Sequence, residues 1–161
     1  MIRLTIDTPE AMAALGARIA RQLVEGDIVA LDGELGAGKT TLTRGLGEAL
    51  GVRGAVTSPT FVLARTHPRE SGGASLVHVD AYRLGTAAEL DDLDIDFAGS
   101  IVVVEWAAGM LDGVSESVLE VSIERPTGAA VGSSGEAGEA IEPRRVTITP
   151  RGPRWAQHPF V

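Results

Sequence analysis

The chain has 161 residues, 44% of them hydrophobic and 22% charged, with a formal net charge of -8 and no cysteine. That is enough for one domain with a real core and ordinary for a globular protein. Disulfides, thiolate nucleophiles and cysteine zinc sites are excluded, and an acidic chain is a poor candidate for gripping a nucleic-acid backbone alone.

Ile2, Leu4 and Ile6 alternate with polar residues, so Met1 to Asp7 reads as a half-exposed strand. Thr8-Pro9-Glu10 reads as a helix start, with Thr as N-cap and Pro in the first turn. Met12, Leu15, Ile19 and Leu23 mark its buried face, and Gly26 is expected to end it. Ile28-Val29-Ala30-Leu31 is a short apolar run, as in a strand buried on both faces.

Residues Gly33 to Thr40 then read Gly-Glu-Leu-Gly-Ala-Gly-Lys-Thr. This is G-x-x-x-x-G-K-[ST], the phosphate-binding P-loop. Glycines at 33, 36 and 38 let the backbone approach a phosphate chain without a Cβ in the way. Successive N–H groups from Gly36 through Ala37, Gly38 and Lys39 to Thr41 would converge on the anion at the positive end of the following helix. Lys39, the only lysine in the chain, suits the β- and γ-phosphates, and the Thr40 hydroxyl suits Mg²⁺. Lys39 to Leu50 carries Leu42, Leu46, Ala49 and Leu50 at helical spacing, with Gly51 as a stop.

Beyond Val56, Thr57-Ser58-Pro59-Thr60-Phe61 reads either as a plain turn or as a switch-like segment sensing the γ-phosphate or Mg²⁺. Phe61 to Thr66 is expected to be a strand and His67 to Gly73 a surface loop. Ser75 to Asp80 is a second buried strand ending in an acid, and Thr86-Ala87-Ala88-Glu89 fits a capping box. Asp91, Asp92, Asp94 and Asp96 read as a solvated face. Ser100 to Trp106 is a third apolar strand, ending in Glu105 and Trp106.

Ligands of open α/β sheets bind outside the C-terminal strand ends. Asp80 and Glu105 are therefore expected to project into the crevice that holds the P-loop. One would hold Mg²⁺ and the other orient or deprotonate the attacking water; the pattern leaves open which does which. His78, two residues before Asp80, reads as core packing, and His67, His78 and His158 show no metal-ligand spacing.

Val118 to Ile123 and Arg145 to Thr149 read as the last strands, flanking a Gly/Ala/Ser/Glu-rich stretch from Pro126 to Pro143 that reads as a mobile loop. The domain would span residues 1–150, with that loop at about 126–143, and the tail at 151–161 is expected to be disordered. The absence of a long apolar run and of a signal-peptide pattern, with a nucleotide site, leads to an expectation of no membrane contact and a cytoplasmic location.

Four segments together resemble the bacterial ATPase family of tRNA threonylcarbamoyladenosine biosynthesis, TsaE. They are Gly33 to Thr41, Thr57 to Phe61, His78-Val79-Asp80-Ala81-Tyr82-Arg83-Leu84, and Glu105-Trp106. The resemblance implies a single three-layer P-loop α/β domain with a mostly parallel sheet and an antiparallel edge. It implies ATP phosphates on the backbone from Gly36 to Thr41, Mg²⁺ at Thr40 and Glu105, and Asp80 as a catalytic carboxylate near the γ-phosphate. Thr57 would lie in the switch-like segment, Trp106 would be an aromatic residue needed for activity, and Thr8 to Glu10 would lie near the adenine. The implied partners are the TsaB–TsaD pair, which transfers threonylcarbamoyl to N6 of A37 in tRNA, with tRNA met indirectly through that complex and direct contact left open. The stretch before Pro143 resembles an insertion relative to the family.

Two other classes fit the residues. A small-molecule kinase would close arginines such as Arg65, Arg69 and Arg83 over the phosphates, although no long lid-like insertion lies between the strands. A nucleotide-binding switch without turnover would not need Lys39, Thr40, Asp80 and Glu105 together. No arginine lies inside the P-loop, so hydrolysis by the isolated chain is expected to be slow, with Arg83 the candidate finger in cis.

Overall fold

The structure is a computed structural model that describes residues 1–56, 63–126 and 142–161. One seven-stranded sheet organises it. Its strands are β1 (Ile2–Ile6), β2 (Ile28–Gly33), β3 (Ala64–His67), β4 (Leu76–Asp80), β5 (Ile101–Glu105), β6 (Val118–Glu124) and β7 (Arg144–Arg151), in spatial order β1-β7-β6-β2-β5-β4-β3. The four central strands, β6, β2, β5 and β4, are parallel. The edges are antiparallel on both sides: β7 and β1 beyond β6, and β3 beyond β4. All residues of β4 and β5 are buried, as expected of parallel strands covered on both faces and rich in valine and isoleucine.

Two helices cover one face, α1 (Pro9–Ala20) and α2 (Lys39–Leu50). They pack through glycines: a Cβ on Gly16 would run into the Leu42 carbonyl, and one on Gly45 into the Ala13 carbonyl. The core between them and the sheet joins Met12, Leu15 and Ile19 of α1 to Leu42 and Leu46 of α2 and to Leu31 and Val103 beneath. The other face buries Ile28, Val77, Val79, Val102 and Val104 under α3 (Ala87–Asp91) and the segment around Leu111. Thr86 and Glu89 cap α3 reciprocally, as their spacing predicts.

Several expectations need correction. Helix α1 begins with the Thr8 hydroxyl accepting from Ala11 N at 3.0 Å, but it ends at Ala20 rather than Gly26. Gln22 N and Leu23 N turn back to Ile19 O and Ala20 O, while Gly26, at φ +91°, shapes the turn into β2. β3 runs to His67, so the expected surface loop begins one residue later; it is exposed at Glu70 to Gly73, and Arg69 Nε ties it to the end of α2 by donating to Leu50 O at 2.8 Å. The tail after Pro150 is ordered. β7 continues to Arg151 and a short helix, α4 (Pro153–Gln157), follows. Trp155 and Phe160 are buried in the core beside α1, and Arg154 grips Asp27 through two bonds of 3.0 Å. Alternation of apolar residues is absent from so short a segment, so the sequence gives no sign of this docking. The expected switch-like segment at Thr57 to Phe61 and most of the 126–143 stretch lie outside the described residues.

Candidate functional site

The parallel strands deliver their C-terminal ends to one side of the sheet. β2 ends there at Gly33 and gives way to the loop from Glu34 to Gly38, which feeds directly into α2. Gly36 and Gly38 take φ of +78° and +116°, conformations in which a side chain would be strained. The Lys39 side chain folds back over the loop, with Nζ 3.1 Å from Glu34 O and also bonded to Gly33 O.

β5 lies beside β2 with Glu105 in register with Leu31, and β4 lies beside β5 with Asp80 in register with Glu105. Thus the two acids and the loop share one rim. Asp80 is also the N-cap of the 3-10 turn Ala81–Arg83, its Oδ1 accepting from Tyr82 N at 3.0 Å. Glu105 is buried, and its Oε1 lies 3.1 Å from Nε2 of the fully buried His78. Trp106 turns the chain away from β5 at φ +59°, in the left-handed region. Its ring lies 4.5 Å from Lys39 Nζ and 5.3 Å from the Tyr82 ring.

A cleft of about 530 Å³ results, lined by Lys39, Thr40, Asp80, Arg83, Glu105 and Trp106 among others. A smaller cleft of about 250 Å³ adjoins it across Gly36, Gly38 and Thr41 and reaches Thr8, Pro9 and Arg144. Together they form a trough with the P-loop in its floor. A third cleft, about 390 Å³, lies away from the loop and gathers Asp32, Asp112, Glu116 and Glu120 around Arg151. Its charge opposes a polyphosphate, which disfavours it as a nucleotide site.

The donor set suits magnesium arriving with a nucleotide. Among the described residues no three His, Cys, Asp or Glu side chains gather to hold a metal. Thr40 and Glu105 instead offer two oxygens to one cleft, which fits an ion that keeps waters and phosphate oxygens as its other ligands.

Of the residues singled out in the sequence, Gly36, Gly38, Lys39, Thr40, Thr41, Asp80, Arg83, Glu105 and Trp106 come together around the trough. Gly33 lies one step back at the strand end, and Ala37 is buried beneath the loop. Thr57 is not among the described residues. Two contacts were missed. Arg144 Nε donates to Ala37 O at 3.1 Å, so β7 braces the P-loop; nothing in the sequence pairs these positions, 107 residues apart. His78 is fully buried, as the core-packing reading expects, but it is also bonded to Glu105. Its position two residues before Asp80 signals a shared face, but its partner depends on strand order.

A glycine-rich loop between a buried parallel strand and a helix, with acids on the neighbouring strand tips, defines a P-loop NTPase fold. The family model for threonylcarbamoyl adenosine biosynthesis protein TsaE matches residues 6–131. A tRNA threonylcarbamoyladenosine biosynthesis protein TsaE from Streptomyces coelicolor is 55% identical over 148 residues, covering 90% of this chain and 94% of that protein. The protein of that name from Bacillus subtilis is 34% identical, covering 91% of this chain and 84% of its own. The crystal structure of Bacillus subtilis YdiB superposes with a TM-score of 0.68 at 30% identity, over 97% of this chain and 89% of that one. The chain belongs to the TsaE family.

Proposed function

We propose that this protein is a Mg²⁺-dependent ATPase that serves tRNA N6-threonylcarbamoyladenosine formation by acting with a TsaB–TsaD complex over repeated turnovers. One observation carries the reading: the P-loop lysine, the Thr40 hydroxyl and the carboxylates of Asp80 and Glu105 face one cleft. The biosynthetic role comes from the names of the relatives.

In this reading the amides from Gly36 to Thr41 hold the triphosphate, with the adenosine toward Thr8 and Pro9. Lys39 Nζ leaves the Gly33 and Glu34 carbonyls for the β- and γ-phosphates, exchanging neutral acceptors for anionic ones. Magnesium, when bound, would supply positive charge that offsets the phosphates. Thr40 and Glu105 would hold it. Asp80, with Oδ1 committed to Tyr82 N, presents its other oxygen to a water. The water oxygen bonds to the γ-phosphorus as the bond to the ADP oxygen breaks. The water proton passes to Asp80 or to the departing phosphate. No arginine lies within the loop, and Arg83 is exposed at the rim, so charge on the transferring group is poorly compensated in the isolated chain. A stabilising group supplied in trans raises such rates by about 10³–10⁵.

The test is ATP turnover measured alone and with TsaB–TsaD, together with co-purification of the pair with and without ATP. Slow turnover alone, a large change with the pair and ATP-dependent association are expected, and Lys39→Ala abolishes hydrolysis. Rapid turnover indifferent to the pair would overturn the reading. Phosphoryl transfer to a small acceptor would replace it with a kinase.

A further inference from the structure

We infer that His78 is a positioning residue for Glu105: an imidazole whose Nε2–H fixes one carboxylate oxygen and turns the other toward the cleft. This rests on the proposed role of Glu105 as the magnesium ligand.

The geometry is specific. His78 stands in register with Val103 on the neighbouring parallel strand, and Glu105 is the next residue of β5 on the same face. The side chains meet at 3.1 Å, with His78 fully buried and the Glu105 side chain 7% exposed. A carboxylate only accepts, so the proton between them sits on Nε2. His78 Nδ1 is buried with no hydrogen-bond partner among the described residues. As packing alone, an imidazole is a poor choice at a site that leaves half its polar capacity unmatched. The bond to Glu105 is what that capacity serves.

The consequence for the site follows from the strand. Glu105 is the last residue of β5, immediately before the left-handed turn at Trp106, and a glutamate there has several rotamers available. Anchoring Oε1 removes that freedom in advance and leaves Oε2 for an incoming ion. Hydrogen bonds that orient a ligating carboxylate are worth about 10–100-fold in metal affinity.

The test compares His78→Gln with His78→Asn in the full chain. A glutamine amide reaches the position of Nε2 and keeps the donor; an asparagine amide reaches only the position of Nδ1. The readouts are Mn²⁺ affinity of the ADP complex, followed by electron paramagnetic resonance, and binding of a fluorescent ATP analogue in EDTA. His78→Asn is expected to weaken Mn²⁺ about 10–100-fold while leaving metal-free nucleotide affinity unchanged, and His78→Gln to restore most of the loss. Equal weakening in both variants, or none in either while Glu105→Ala weakens Mn²⁺, overturns the inference and leaves the role of Glu105 standing. No effect of Glu105→Ala removes that role and this inference with it. Should His78→Asn fail to fold, His78→Met, of similar volume and without a donor, carries the same expectation.

Discussion

Lys39 Nζ lies 4.5 Å from the centroid of the Trp106 ring, and Trp106 holds that position only by taking φ +59°. A left-handed backbone on a bulky residue costs about 1–3 kcal/mol and persists where the surroundings impose it. Here the strain places an aromatic face against the one lysine of the chain. Trp106→Ala and Trp106→Gly both remove the ring, but only glycine also removes the strain. Urea denaturation is therefore expected to find Trp106→Gly more stable than Trp106→Ala by about 1 kcal/mol, the reverse of the usual order. Both variants should hydrolyse ATP far more slowly than the native protein.

Asp80 and Glu105 stand side by side in register, yet their bonds predict different phenotypes. Asp80→Ala removes the cap on Tyr82 N, at about 1 kcal/mol, as well as the charge in the cleft. Asp80→Asn keeps an oxygen for the cap and loses only the charge. Near-native stability in Asp80→Asn, with hydrolysis reduced about 10²-fold or more, would separate the two roles; thermal melts and single-turnover assays measure them. Glu105→Ala should instead raise the Mg²⁺ requirement while sparing nucleotide binding in EDTA.

These placements were only partly legible in the sequence. The P-loop, its flanking strand and helix, and the acids after two valine-rich runs are local patterns, and local pattern places them correctly. Which acid neighbours the loop, and that His78 touches Glu105, depends on the order β2-β5-β4, which no spacing encodes. The docking of the tail was hidden for a similar reason: Phe160 lies under Arg18 of α1, more than a hundred residues earlier. Likewise Gly26 looked like a helix stop because glycine serves both helix ends and turns.

The approach of α1 to α2 depends on glycine at both faces of the crossing. At Gly45 an added methyl would collide with the main chain of Ala13, which cannot swing aside as a side chain would. Gly45→Ala gains helix propensity of about 1 kcal/mol but forces the helices apart. A net loss of about 1–3 kcal/mol is expected from overpacking. Because α2 carries Lys39 and Thr40 at its start, nucleotide affinity should fall with it; calorimetric titration of the folded variant checks this.

Arg154 and Asp27 form a two-pronged pair at 3.0 Å, extended by Arg154 Nη2 to Gln22 O at 2.9 Å. Asp27 is 5% exposed and also accepts from Val24 N. Arg154→Ala strands a buried carboxylate and releases α4 from the body. With the Arg154 side chain 21% exposed, part of the loss is screened, and about 2–3 kcal/mol is expected. Replacing both partners, as in Asp27→Asn with Arg154→Met, should recover part of it in chemical denaturation.

Acid should destabilise the fold through His67. Burial, together with the nearby His78 and Arg65, holds its pKa below the ordinary 6.5. Above pH 6.5 the ring is neutral in both folded and unfolded chains and contributes nothing to the pH dependence. As pH falls below 6.5 the unfolded chain takes up a proton that the folded chain refuses, so stability drops until the folded-state pKa is reached. Replacing the ring with a non-titrating residue of similar size, His67→Gln, should flatten this part of the profile. Urea midpoints between pH 7 and 5 should therefore fall less in His67→Gln than in the native chain. Equal slopes would mean that His67 takes up its proton as readily when folded as when unfolded.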